Sequence, residues 1–196
     1  MKGYTSINAI QNYLLTNIDL AFQPQVESWI EEVENYIDQQ TDRNFIADSV
    51  ASIKSYDGNG LDEIAIDDCV AVTKVEIYDT EGNVVLDTLV AGVDYFLLPN
   101  NELPKQTIKL YGYRFTRGIQ NIKVTAKWGY SVAVPPSIRT AATVLTANII
   151  DFSNQAEGEV QSLSVGSYNV SFKDQSKRDD FERIPEILDT YKKYDF

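Results

Sequence analysis

The 196-residue chain contains no histidine. That absence removes Ser-His and Cys-His nucleophile activation, imidazole general-base catalysis and His-ligated zinc together. One cysteine, Cys69, excludes an internal disulfide and any disulfide framework. In Asp68-Cys69-Val70-Ala71 it reads as a small buried residue rather than a reactive thiol. No run approaches the roughly 18 apolar residues of a membrane span. Met1-Lys2-Gly3-Tyr4-Thr5-Ser6 has no apolar stretch of signal-peptide type, so synthesis and folding in a reducing cytoplasm, away from membranes, are expected. Cations are scarce too: 17 Lys and Arg face 29 Asp and Glu, for a formal charge of −12. Such a field disfavours anionic lipid surfaces and a clamp on nucleic acid held by counterion release. It does not prevent DNA from passing close by.

Phosphate-binding fingerprints are missing as well: there is no G-x-x-x-x-G-K-S/T and no G-x-G-x-x-G after a strand. Catalysis would have to rest on carboxylates alone, as in glycoside hydrolysis, and abundance of Asp and Glu is not placement. The expectation is no enzyme, no cofactor and no metal. What remains is ordinary for a folded protein, 43% hydrophobic and 23% charged, long enough for one large domain or a small one with an insertion.

Residues 6–16 carry Ile7, Ile10, Leu14 and Leu15, a short helical stripe opened by Thr5 or Ser6. Pro24 suits the first turn of a second helix over about 24–40, with Val26, Trp29, Ile30, Val33 and Ile37 on one face. Glu27, Glu31, Glu34 and Asp38 form a second, wholly acidic stripe with no Lys or Arg on the helix to pair with them. Like charges at that spacing repel by a few tenths of a kcal/mol per pair, roughly. The plain reading is a solvated face; a stripe of this kind holds metal poorly without a cage of oxygens. It would also serve as the wall of a channel through which another polyanion moves.

From about 50 to 128 the hydrophobic period becomes two. Strands are expected at 51–56, 63–66, 71–78, 83–87, 94–98, 107–111 and 121–128, separated by turns such as Asp57-Gly58-Asn59-Gly60 and Glu81-Gly82-Asn83. Their spacing suggests a small antiparallel β-barrel or sandwich inserted into a helical scaffold. Asp57-Gly58-Asn59-Gly60 has a superficial likeness to a calcium loop, but Leu61 stands where an oxygen ligand is required, and a tight turn is the simpler reading. Asp67-Asp68 reads as a solvated loop.

Val134-Pro135-Pro136 then stops the strand and starts a helix, Ile138 to Phe152, with Arg139 its only charge before Asp151. A helix without a charged face is covered on more than one side. A hairpin follows over 162–172, where a Gly166-Ser167 turn would pair Val165 with Tyr168 and Leu163 with Val170. An isolated two-stranded ribbon is barely stable, so its apolar face needs cover from its own core or from a neighbour. A Pro-started helix, Pro185 to Tyr191, closes the chain.

This order resembles the head–tail connector (adaptor) proteins of long-tailed bacteriophages. The resemblance is carried by Ile37-Asp38-Gln39-Gln40-Thr41-Asp42-Arg43-Asn44-Phe45, Ser55-Tyr56-Asp57-Gly58-Asn59-Gly60, Val124-Thr125-Ala126-Lys127-Trp128-Gly129-Tyr130 and Val134-Pro135-Pro136-Ser137-Ile138-Arg139-Thr140-Ala141-Ala142. The hairpin segment and the Ile184-Pro185-Glu186-Ile187-Leu188-Asp189-Thr190-Tyr191 helix complete it. It implies an α+β fold: scaffold helices over 1–48, an inserted β domain over 49–130, and a central helix, hairpin and last helix over 131–196. It further implies a structural virion protein at the head–tail joint, a homo-oligomeric ring of about a dozen copies. That ring would sit under the portal protein, extend the DNA channel and dock a stopper or tail-completion protein, with DNA passing through unread. On that reading Glu27, Glu31, Glu34 and Asp38 line the channel. Leu163, Val165, Tyr168, Val170 and Phe172 meet the next subunit, and Ile184, Ile187, Leu188 and Tyr191 dock to the portal. The rival is a carbohydrate- or peptide-binding module that uses Tyr111, Tyr113 and Phe115 of the β domain as stacking residues.

Overall fold

The computed structural model describes residues 1–154, 162–165, 168–171 and 175–193. The fold is α+β. Helices α1 (Ile7–Leu14) and α2 (Gln23–Thr41) precede strands β1 (Ser52–Gly58), β2 (Glu63–Tyr78), β3 (Val85–Leu89), β4 (Tyr95–Leu98), β5 (Lys105–Leu110) and β6 (Gly118–Trp128). After them come α3 (Pro136–Asn154), the hairpin strands β7 (Ser162–Val165) and β8 (Tyr168–Ser171), and helices α4 (Gln175–Glu182) and α5 (Ile184–Tyr191). The chain divides into a helical unit, Met1–Arg43 with Val134–Phe196, and a sheet unit, Asn44–Ala133.

In the helical unit Ser6 caps α1, its hydroxyl accepting from the Ala9 N–H, and Pro24 sits in the first turn of α2. Ile10, Ile18, Val26, Ile30, Ala147 and Ile150 form a buried cluster. Phe22 and Trp29 pack on that cluster edge to face, with ring centroids 5.4 Å apart. Each fully buried Ile or Val of that cluster contributes about 1.5–3 kcal/mol from apolar area. Every residue of α3 from Ala141 to Asn148 is buried, as its lack of a charged face requires. Its threonines bond inward: Thr143 and Thr146 donate to the carbonyls of Arg139 and Ala142. Thr143 also meets the Thr5 hydroxyl at 2.7 Å. β7 and β8 pair in the register expected from sequence, Leu163 with Val170 and Val165 with Tyr168, and β8 runs beside α3. The turn residues Gly166 and Ser167, and Phe172, lie outside the described residues. The α4 helix has no counterpart among the sequence expectations; its segment is too polar to give an apolar stripe.

The sheet unit corrects the barrel or sandwich. Its six antiparallel strands run β1-β6-β2-β5-β4, with β3 on β2, and the sheet does not close. Nor are 63–66 and 71–78 separate strands. They are the two halves of β2, which pairs with β5 through its first half and with β6 and β3 through its second. Register shifts at Ala65/Cys69, Cys69/Ala71 and Val72/Lys74 bend β2 there, and such bulges let one long strand serve two sets of partners. Asp67 and Asp68 therefore sit inside a strand, not in a solvated loop. Asp67 receives Lys54 Nζ at 2.8 Å, and buried Asp68 accepts from Gln106 at 2.8 Å. One face of the curled sheet buries Ile64, Val75, Ile108, Ile122, Val124 and Trp128 among others. Gly129, at φ +132, lets the end of β6 pass against Ala47, whose Cα would lie 2.6 Å from an added Cβ.

Candidate assembly surfaces

The four acidic residues of α2 do not share one environment. Glu27 and Glu31 are exposed, whereas Glu34 is fully buried at 0%. The Glu34 carboxylate accepts three consecutive backbone N–H groups: from Lys2, from Gly3 at 2.7 Å and from Tyr4 at 2.8 Å. Successive main-chain donors around one anion make a nest, which replaces the hydration that a buried carboxylate loses. Asp38 is half-buried and accepts from Lys2 Nζ and from the Tyr4 hydroxyl. The cation missing from α2 comes from outside the helix, through Lys2. Glu34 thus faces the chain's own interior, and only Glu27 and Glu31 present charge to solvent. Glu34 read as channel-facing because helical spacing shows which residues share a face, not what lies opposite them.

The last helix is divided in the same way. Ile184 and Leu188 are buried within the helical unit, and Ile187 and Tyr191 are half-exposed. Tyr191 is further held by a 2.8 Å bond between its hydroxyl and that of Ser137, and by Arg43 donating to its carbonyl. The portal-facing surface expected of α5 is therefore partly spent on the chain's own core.

In the sheet unit Phe115 is a core residue at 1% exposure, which takes it out of the proposed stacking trio. Tyr111 and Tyr113 are exposed, with Phe96 edge-on to Tyr111 at 6.3 Å. Asp57-Gly58 ends β1 and Asn59-Gly60 opens the turn after it: Asn59 accepts from the Leu61 N–H at 2.8 Å, and Asp57 from the Gln120 N–H at 2.6 Å. Among the described residues no group of three or more His, Cys, Asp or Glu is placed to hold a metal, and no helix is long and apolar enough to cross a membrane. Burial, reinforced by the Asp68 carboxylate, pushes the Cys69 thiol up to about 12, which makes it a poor nucleophile near neutrality.

What sequence reasoning missed is the apolar rim of this unit. Val84, Val85 and Leu86 beside the Asn83 turn, and Val90 and Val93 beyond it, are all exposed, as is Ile53 on β1. The signal was present: Val84-Val85-Leu86 is an unbroken apolar run in a strand with no alternation, which a one-sided strand does not have.

No family model matches the chain, and no curated protein does. Solved structures do match. A chain in the neck of the empty GTA particle, computed with C6 symmetry, superposes at TM-score 0.62 with 12% identity, covering 100% of this chain and 93% of that one. A chain in the neck of the native GTA particle, computed with C12 symmetry, gives TM-score 0.56 at 13% identity over 97% and 89%. A chain of the virion of the native gene transfer agent (GTA) particle gives 0.53 at 13% over 100% and 92%. At these identities the likeness establishes a shared fold over essentially the whole chain.

Proposed function

We propose that the chain is a structural protein of a phage-like neck, a ring-forming connector between the portal of a DNA-filled head and the stopper or tail. The observation that carries this reading is the near end-to-end fold match to chains in GTA necks. A fold shared by chance module reuse would cover one unit; this one spans both the helical and the sheet units. The cyclic symmetry of those necks supports a homo-oligomeric ring of about a dozen copies. The net charge of −12 and the exposed Glu27 and Glu31 suit a channel wall to which DNA does not adhere. Docking to the portal would use the outward side of α5, Ile187 and Tyr191, since Ile184 and Leu188 are committed to the core.

Association has to overcome several kcal/mol of lost rigid-body freedom, so a free monomer that assembles on a portal template fits the reading. The test is to mix the purified protein with its portal and measure mass by size exclusion with light scattering and shape by negative-stain imaging. A ring added beneath the portal supports the connector; a monomer that ignores the portal overturns it. Leu163→Asp in β7 should abolish the ring and leave the monomer folded. Ring assembly that survives it removes the hairpin from the subunit contact.

A further inference from the structure

Besides β4, which ends the section built on the first half of β2, the sheet unit has two edge strands of opposite position, β1 and β3. Across the section that contains the second half of β2, the strands lie in the order β1-β6-β2-β3, every pair antiparallel. No backbone bond to the outer side of β1 or of β3 exists within this unit, whose residues are all described. Unpaired edges invite further strands, and proteins normally blunt them with lysine, proline or short length. β3 is not blunted: Val85 and Leu86 are 45% and 62% exposed, and Ile53 on β1 is 61% exposed. These aliphatics lie on the free edges themselves, where a monomer gains nothing from them.

We propose that the β3 edge of one copy pairs with the β1 edge of the next, so that the sheet units join into one continuous band around the ring. This inference rests on the ring reading above and names a second surface, besides the hairpin, through which copies meet. The direction of the strands favours it. Alternation along β1-β6-β2-β3 makes β1 and β3 run oppositely, and neighbours in a large ring are related by a small rotation that preserves strand direction. The joint is therefore antiparallel, like every other pair in the sheet. The two edges differ, so the contact is heterologous and propagates until it closes, whereas a twofold contact would stop at a dimer.

Side-chain faces agree as well. Ile53 pairs with Thr125 and Thr88 with Glu76, and Thr125 and Glu76 both lie on the sheet face away from the core. Lys54 and Asp87 both belong to the opposite face. A register that sets Asp87 opposite Lys54 sets Thr88 opposite Ile53, with both faces in phase and opposite charges across the joint. Lys54 already meets Asp67 at 2.8 Å and lies over the Trp128 ring, and an ammonium has donors for a second carboxylate. Three spacings between the four strands and one joint, at about 4.8 Å each, give a step of about 19 Å per copy, so twelve copies describe a circle of about 37 Å radius, an open ring and not a collapsed one.

The test is cross-linking in the assembled ring, formed alone or on the portal. Ile53→Cys combined with Thr88→Cys, oxidised and run on a non-reducing gel, is expected to give a ladder of covalent oligomers. Each single variant should give no ladder, because a lone cysteine has no partner across the joint and Cys69 is buried. Independently, Val85→Lys with Leu86→Lys, at exposed positions that leave the fold intact, should abolish rings while the monomer's circular dichroism is unchanged. Backbone hydrogen exchange of 52–57 and 85–89 should slow on assembly. Rings that persist with the two lysines, give no ladder and leave those amides unprotected overturn the edge contact while the connector reading stands. A wild-type chain that forms no ring with or without the portal overturns both.

Discussion

The helical and sheet units answer an excess of carboxylates differently. In the sheet unit side-chain cations do the work: Lys54 meets Asp67 at 2.8 Å, Lys74 meets Glu76 at 2.7 Å, and Lys109 reaches Asp62 and Glu63 at 3.6 and 3.4 Å. Pairs of this kind at a surface contribute about 0–1 kcal/mol each. In the helical unit Lys2 serves Asp38, but the fully buried Glu34 is held by the main chain, with three successive N–H groups converging on it. The contrast shows why charge pattern alone misleads: a carboxylate with no cation in its own helix can still be stabilised by amides that carry no formal charge. The units also differ in what they leave bare. The sheet unit exposes aliphatics along its open edge, while the helical unit buries every residue of α3 from Ala141 to Asn148.

Each unit carries one tryptophan, Trp128 in the sheet and Trp29 among the helices, so single-tryptophan variants report them separately. The largest effect should come in the sheet unit. A Cβ at Gly58 would lie 1.9 Å from the Thr116 carbonyl oxygen and 2.8 Å from Asn121 Oδ1. Asn121 is buried and links the Gly58 N–H to the Thr116 carbonyl, so neither neighbour can retreat without breaking a bond. Gly58→Ala should cost about 3–5 kcal/mol in the Trp128-monitored denaturant transition. An unchanged midpoint would mean that the β1–β6 end is pliable.

Next in size is the helical counterpart. Glu34→Ala strands the N–H groups of Lys2, Gly3 and Tyr4, and should cost about 2–4 kcal/mol in the Trp29-monitored transition. Glu34→Gln should recover part of it: its amide oxygen can still accept from Gly3 and Tyr4, while its nitrogen sets donors against the Lys2 N–H. Full rescue by glutamine would show that shape and not charge holds the N-terminal segment. The same pair of variants sharpens the functional contrast: a channel-wall residue would leave stability untouched.

How much of this was legible in the sequence follows the range of the interactions involved. The Ser6 cap, the Pro24 start, the stripe of α2, the burial of α3 and the register of β7 with β8 are local, fixed by neighbours within a few residues. The continuity of β2 was hidden because Asp67-Asp68 looks like a loop until Lys54 and Gln106, distant in sequence, neutralise and cover it. Sheet closure was misjudged because alternation sets which face is buried, not whether the first and last strands meet. Glu34 and Ile184 were misplaced for one reason: their partners come from a segment 30 to 32 residues away or from another helix.

A smaller, pH-dependent effect separates the units again. Cys69 has its folded pKa raised from the ordinary 9.0 to about 12, mainly by burial. Below about 9 both states keep the proton; between 9 and 12 the unfolded chain loses it and the native chain does not. Stability of the sheet unit should therefore fall as pH rises through that window, with Tyr56 and Tyr95, also raised by burial, adding in the same direction. Cys69→Ala should make the Trp128 transition less pH-dependent above 9. A disulfide-exchange reagent should label Cys69 only on unfolding; labelling of the native protein at neutral pH would show that the sheet opens locally.

The smallest effect tests the completeness of the helical core. Asn148, buried at 1% in the middle of α3, has neither its Oδ1 nor its Nδ2 in a hydrogen bond. An unpaired buried amide costs about 1–3 kcal/mol, and alanine is the better helix former by a few tenths. Against that stands the packing lost with the larger side chain, of similar size. The two nearly cancel, so Asn148→Ala should leave the Trp29 transition within about 1 kcal/mol of wild type. A loss well beyond that would mean the amide is satisfied in solution. A neutral monomer whose ring no longer forms would mean the partner arrives with the next subunit, and the helical unit too would then keep an unspent group for assembly, as the sheet unit keeps its edge.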